Sequence, residues 1–111
     1  MSRSDGERLE DIFEAAEKIS GIVGNGKAAF DADEMLEYAL RHLVQIIGES
    51  ARALSEDTRQ TYPEIDWRII IRMRHVLVHL YHRVDIEQLW DTAQDDVPAL
   101  MAALRAGNST N

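Results

Sequence analysis

Hydrophobic residues along this chain recur every three or four positions, and apolar and polar residues never alternate in a sustained pattern of two. A repeat near 3.6 residues predicts amphipathic α-helices rather than strands. Ser4 and Glu7 have the spacing of a capping box, which predicts that the first helix begins there. Its expected buried positions are Leu9, Ile12, Phe13, Ala16, Ile19 and Val23. The glycine-rich stretch 24–27 should end this helix.

A second helix is predicted to open at Asp31, with Glu34 three residues later in another capping-box spacing. Gly48 within this helix costs about 1 kcal/mol relative to alanine. A close crossing by another helix would justify that cost. The expected buried stripe consists of Leu36, Ala39, Leu40, Leu43, Ile46, Ile47 and Leu54.

The second half of the chain predicts two more helices after a polar connection at 54–66. Asp66 can cap a third helix that runs to about Arg83. Asp85 can cap a fourth that runs towards Leu104.

Pro98 should kink or restart the fourth helix, because proline lacks the N–H that continues the hydrogen-bond ladder. We therefore expect an all-α fold, an antiparallel bundle of four to five helices. One domain is predicted to span 1–106, followed by a disordered tail at 107–111.

The third helix carries three stripes when it is drawn at about 100° per residue. The expected core stripe is Ile69, Met73, Val76, Leu77, Leu80 and Val84. The opposite, polar face holds Arg68, Arg72, His75, His79 and His82. A third stripe between them holds Ile71, Arg74, Val78 and Tyr81. An apolar flank beyond the core predicts a second packing surface, covered either by a second copy in a homodimer or by another helix of the bundle.

Charge singles out the same helix. The formal net charge is −8, which taken alone disfavours nucleic-acid binding. Residues 67–84, however, contain no Asp or Glu and hold four arginines with three of the chain's 4 histidines. Residues 67–84 therefore form a basic island in an acidic protein, and an anionic substrate could bind there.

Composition also indicates the cellular compartment in which the protein is expected. The chain contains no cysteine, which excludes disulfides and thiolate chemistry and suits a reducing cytoplasm. The N-terminus is polar rather than signal-like, and no apolar run approaches the ~20 residues that span a bilayer. We expect a cytoplasmic protein without membrane contact.

The island contains the residue types of metal-independent RNA cleavage. Histidine can serve as acid or base near neutral pH, and arginine can hold a phosphate. His79 and Arg74 supply these types, and Tyr81 could position a phosphate or stack on a base. On an ideal helix, His79 and Arg74 point about 140° apart. A bend in the helix, or a two-fold axis between two chains, would be needed to bring them together.

Two other interpretations of the histidines remain open. His75 and His79 at i, i+4, with His82, have the spacing of metal ligands, although Glu49 could complete such a set only through the fold. Alternatively, the polar stripe is a solvated face. Trp67 and Trp90 are expected in the core rather than stacked on bases.

The stretch "RHVLVHLY" resembles the R-x4-H-x-Y motif of HEPN-domain toxins of the HepT type. Arg74, His79 and Tyr81 match its fixed positions, while His75 stands where the family often has asparagine. The similarity extends to segments on both sides of the motif, at 8–19, 45–52, 62–75 and 81–100.

The resemblance implies a HEPN-like homodimer whose two motifs line one cleft, acting as a metal-independent endoribonuclease toxin without a cofactor. It implies His79 as the acid–base residue, Arg74 as the phosphate binder and Tyr81 as a third site residue. Its implied antitoxin is a minimal nucleotidyltransferase that transfers AMP to Tyr81. Glu49 is expected either to support the motif or to solvate its own helix. Residues expected to bind the RNA, for which tRNA is one candidate, are Arg68, Arg72, His75, His82 and Arg83.

A rival interpretation from another class is a non-catalytic dimeric helical module. Such a module would bind a nucleotidyltransferase partner or a nucleotide. An acidic surface fits either function, because it can dock a basic partner.

Overall fold

A computed structural model describes residues 3–76 and 83–109, with side chains described for 3–73 and 86–107. Within these ranges the ordered elements are all helical and no strand occurs, which confirms the all-α prediction. In chain order they are α1 (Asp5–Gly24), α2 (Lys27–Ala32), α3 (Glu34–Ala53), α4 (Glu56–Gln60), α5 (Trp67–Val76), α6 (Arg83–Asp91), a π-helical turn (Thr92–Asp96) and α7 (Val97–Ser109).

The start of α1 follows the sequence prediction. The Glu7 N–H donates to Ser4 Oγ at 3.1 Å, and the Ser4 N–H donates to Glu7 Oε1 at 3.0 Å, which completes the capping box. Each bond satisfies a backbone donor that the first helical turn leaves without a partner.

The predicted start of the next helix at Asp31 is wrong. Asp31 lies inside the short helix α2, where the ammonium of Lys27 donates to it at 2.9 Å. Gly26, with a φ of 93°, turns the chain directly into this helix. The true cap of α3 is Asp33, whose carboxylate accepts from the Met35 N–H at 2.9 Å. A helix of 6 residues is too short to show a hydrophobic period, so periodicity could not predict α2.

Helices α1, α3 and α7 form the main body of the bundle. The start of α1 is hydrogen-bonded to Ser55, just beyond the end of α3, so these two helices run antiparallel. Helix α7 also runs antiparallel to α1, since Ser20 contacts Met101 while Arg105 lies over the Phe13 ring. The large side chains buried at the centre are Ile12, Ile19, Leu40, Val44, Ile47, Leu89 and Val97.

Helix α5 begins beside the C-terminal end of α3. Asp66 caps it as predicted, accepting from the Arg68 N–H at 3.1 Å. The Trp67 indole N–H donates to the Arg59 carbonyl at 3.0 Å, and Arg59 in turn donates to the Arg52 carbonyl at the end of α3. Because α5 packs extensively on α3 from this point, it runs back towards the N-terminal half of α3.

The predicted interruption at Pro98 is confirmed, and it takes the form of a π-helical turn. The Val97 N–H donates to the Thr92 carbonyl, one residue further back than in an α-helix. Before this turn, Trp90 is buried and its ring lies 5.0 Å from that of Phe30. Trp90 therefore belongs to the core, as expected, and Trp67 also packs against it.

Asp5 links the start of α1 to α4, and this contact predicts a pH-dependent stability. Its carboxylate accepts from the hydroxyl groups of Ser55 at 2.5 Å and Thr58 at 2.6 Å, and these bonds lower the pKa of Asp5 below its ordinary value of 3.8. A carboxyl with a lowered pKa in the folded state stabilises the fold above its unfolded pKa, and loses that effect as the pH falls through the folded value.

We expect Asp5→Asn to unfold at lower urea concentration than wild type at pH 7. The difference should shrink as the pH falls below about 3.8. Urea titrations followed by circular dichroism at pH 7, 4 and 3 check this. A difference that stays constant over this range would contradict the role given to the carboxylate.

Candidate functional site

Two of the predicted substrate-binding residues lie on the outer face of α5. Arg68 and Arg72 are both exposed and stand four residues apart, so they share one side of the helix. The Arg68 side chain is 92% exposed, and its Nε lies 3.8 Å from an Asp66 carboxylate oxygen, which is a weak, solvated contact. The basic face that the sequence predicted is therefore present in this part of the helix.

The predicted core stripe of this helix is partly wrong. Ile69 was expected inside but is 41% exposed, whereas Ile70 is 5% and Met73 3% exposed. Ile71, assigned to a second packing surface, is half-buried and packs against the core of its own chain. Residues 69–71 are all isoleucine, so several rotations of the helix would each turn an apolar side chain towards the core. The structure turns Ile70 inward, on a helix whose first residue, Trp67, is hydrogen-bonded to the Arg59 carbonyl.

The motif itself lies mostly outside the described residues. Helix α5 includes the backbone of Arg74 and His75, but their side chains, like those of Arg83 and residues 77–82, are not described. The placement of Arg74, His79, Tyr81 and His82 in one cleft therefore stays a prediction. The backbone of Arg74 lies about 10 Å from that of Trp67 along the axis of α5, at a rise of 1.5 Å per residue.

Glu49 is exposed on α3, and its carboxylate accepts from the Gln45 side chain of the same helix at 3.0 Å. His42, the one histidine outside the basic island, is exposed on the same helix. Among the residues with described side chains, no group of three or more His, Cys, Asp or Glu is arranged to hold a metal ion. The His75, His79 and His82 set lies outside those residues.

A charged pair that sequence reasoning passed over lies in the N-terminal half of α3, the half towards which α5 runs. Arg41 and Glu37 form an ion pair with side chains only 30% and 17% exposed. The Arg41 guanidinium also lies 5.4 Å from the centre of the Tyr38 ring. The signal in the sequence is an acid four residues before an arginine on a helix, a spacing that on its own predicts only a surface pair.

In the described ranges, no helix is long and apolar enough to cross a membrane.

Comparisons with known proteins give one consistent family. The model of the ribonuclease HepT-like family matches residues 12–106, a range that includes α5 and the whole R-x4-H-x-Y motif. "Probable ribonuclease HepT" of Thermococcus cleftensis is 37% identical over 103 residues, covering 90% of this chain and 92% of the relative. A Methanocaldococcus jannaschii protein with RNase in its name is 30% identical over 93 residues, covering 83% of this chain and 85% of its own.

A third relative, from Caldanaerobacter subterraneus and also named as an RNase, is 30% identical over 93 residues, covering 83% of each chain. No solved structure matches this chain significantly. The match over 12–106 and the 37% identity over 90% of the chain lead to the same conclusion. This helical chain belongs to the HepT-like ribonuclease family.

Proposed function

We propose that this protein is a metal-independent endoribonuclease and the toxin of a toxin–antitoxin system. The observation that carries the proposal is the family match over 12–106, which spans Arg74, His79 and Tyr81 in the motif order. The RNase names of the relatives support the same activity. The exposed Arg68 and Arg72 add positive charge on the helix that leads to the motif.

The proposed chemistry uses the 2′-hydroxyl of the RNA as the nucleophile. His79 accepts the hydroxyl proton while the 2′-oxygen attacks the adjacent phosphorus, and the bond to the 5′-oxygen breaks. A second histidine gives a proton to the departing 5′-oxygen, which leaves a 2′,3′-cyclic phosphate on the other fragment. The Arg74 guanidinium stabilises the charge that develops on the phosphate oxygens. The protons move between the RNA and two imidazoles, and Arg74 supplies the positive charge. The proposed step therefore uses no metal.

The same chemistry favours a homodimer. His79 and Arg74 point about 140° apart on an ideal straight helix, so one copy does not aim both at one phosphate. Two copies related by a two-fold axis would supply two histidines and two arginines to a shared cleft. We propose this arrangement as the active form, with RNA as substrate and tRNA as one candidate.

We further propose a minimal nucleotidyltransferase as the antitoxin, acting in the cytoplasm by transferring AMP to the Tyr81 hydroxyl. Transfer breaks the bond between the α- and β-phosphates of ATP, joins the AMP phosphorus to the tyrosine oxygen and releases pyrophosphate. The added anion would fill the cleft and offset the charge of Arg74. Mass spectrometry of the protein co-expressed with the nucleotidyltransferase tests this: an inactive complex whose Tyr81 carries no AMP would contradict it.

The experiment that tests the nuclease assignment is RNA cleavage by purified protein, expressed without its partner, in buffer containing EDTA. We expect fragments that end in a 2′,3′-cyclic phosphate and a strong dependence on His79. A folded dimer that leaves total RNA and tRNA intact would instead favour the non-catalytic module.

A further inference from the structure

A groove runs along the seam between α1 and α7, on a part of the molecule to which the nuclease proposal gives no role. Its volume is about 500 Å³, within the usual range of ligand sites. Its floor is apolar, and Gly6 lies in its wall near the start of α1. The floor consists of Leu9, Phe13, Tyr62 and Leu104.

One wall of the groove is acidic. Glu10, Glu14 and Glu17 follow one another at spacings of four and three, so they lie on one side of α1, and all three are exposed. Glu14 pairs with Lys18 at 3.2 Å. Neither Glu10 nor Glu17 forms an ion pair with any residue whose side chain is described. Two carboxylates beside an apolar floor are thus available to a cationic partner.

The dimensions of the groove suit a helix. From Gly6 to Glu17 the wall extends over three turns of α1, about 16 Å. A helix bound in a groove uses anchors at i, i+3, i+4 and i+7, which span about 10 Å and therefore fit within this length. An open, elongated groove of this kind fits such a segment better than a compact ligand.

We propose that this groove binds a basic amphipathic helix of a partner protein. Its apolar side chains would cover the half-buried Leu9 and Phe13, displacing the Arg105 guanidinium that lies over the Phe13 ring, and its lysines or arginines would meet Glu10 and Glu17. The acidic balance of the whole chain, −8, would attract such a segment from a distance. The proposal does not depend on nuclease activity, so the two can fail separately.

Gly6 offers a way to block the groove without harming the fold. A Cβ at this position would meet only Ser4 Oγ, at 3.9 Å, and glycine in a helix is replaced at little cost or with a gain. Gly6→Phe should therefore fill the groove and leave the capping box intact. Gly21→Phe is the matched control, because Gly21 is exposed on the same helix, has no atom within 4 Å of its Cβ, and does not line the groove.

The test is fluorescence anisotropy with a labelled synthetic peptide, a 14-residue helix with leucines at i, i+3, i+4 and i+7 and lysines elsewhere. We expect saturable binding to wild type that weakens with salt, and a Kd that Gly6→Phe raises about tenfold or more. Gly21→Phe should bind like wild type. Absence of binding to wild type, or equal binding by both variants, would overturn the proposal.

Charge reversal separates a specific site from general attraction. Glu10→Lys with Glu17→Lys should weaken binding about tenfold or more, whereas Glu64→Lys with Asp91→Lys, which changes the net charge equally at exposed positions outside the groove, should have a small effect. A peptide with serines in place of its leucines should lose binding. Equal losses from the two pairs of substitutions would show that only overall charge matters, and the assignment to this groove would be wrong.

Discussion

Replacing His79 with alanine should reduce RNA cleavage by about 10²–10⁴-fold, the usual contribution of a positioned acid or base. In the proposed dimer, each copy supplies one imidazole, so a single substitution removes both the base and the acid, and we expect a loss at the upper end of this range. The measurement is the initial rate on one purified tRNA in EDTA, with the products separated by gel electrophoresis. Circular dichroism should show the same helix content in the variant as in wild type.

His42→Ala is the matched control for this result. His42 is an exposed histidine on α3 and lies outside the basic island. We expect its cleavage rate to equal that of wild type. If His79→Ala cleaves as fast as His42→Ala, the activity belongs to another group or to a contaminating nuclease, and the assignment of His79 fails.

Replacing Ile70 with alanine should lower the free energy of unfolding by about 2–5 kcal/mol, the range for truncating a buried isoleucine. Ile70 is 5% exposed and belongs to the hydrophobic core, so the substitution leaves a cavity there. Ile69→Ala, one position earlier, should cost only about 1 kcal/mol or less, because that side chain is 41% exposed. Urea titrations followed by circular dichroism measure both.

This pair of variants tests the rotation of α5 directly. The hydrophobic pattern placed Ile69 in the core, whereas the structure buries Ile70. A larger loss for Ile69→Ala than for Ile70→Ala would restore the stripe predicted from the sequence. Equal losses would mean that a partner surface covers Ile69 in solution, and the dependence of the unfolding midpoint on protein concentration would reveal such a partner copy.

Several features of the fold could be predicted because they rest on local hydrogen-bond chemistry. Ser4 with Glu7, and Asp66, cap helices by bonds to backbone groups two or three residues away. Pro98 interrupts a helix because of its own missing N–H. None of these needs information about the rest of the chain, so the sequence suffices.

Other features depended on contacts that the sequence does not contain. Helix α2 is held by Phe30 against Trp90 and by Lys27 against Glu87, which are distant in the chain. Ile69 was predicted in the core, but α5 packs on α3 with Ile70 buried and Ile69 exposed. Periodicity shows which face of a helix is the more apolar. Which side chains are buried also depends on how the helix packs against its neighbours.

For the candidate site, the sequence motif contributed the identities of the residues, and they lie within the range that the family model matches. The structure added that Arg68 and Arg72 are exposed on the approach to Arg74. The groove between α1 and α7 could not be foreseen. Glu10, Glu14 and Glu17 look like any solvated helix face until the floor beside them is known.

Tyr62 lies between the groove and the start of α5, so it could couple binding at the two places. Its ring closes the floor of the groove, and it also meets the Trp67 ring edge-on at 6.4 Å, at the point where α5 begins. A ligand in the groove and a ligand on α5 would thus both restrain the same aromatic contact. Linkage is reciprocal, so any factor by which an occupant of the groove alters RNA affinity must equal the factor by which RNA alters the affinity of that occupant. A titration of one ligand in the presence and absence of the other, carried out in either order, would measure the coupling free energy between the two surfaces.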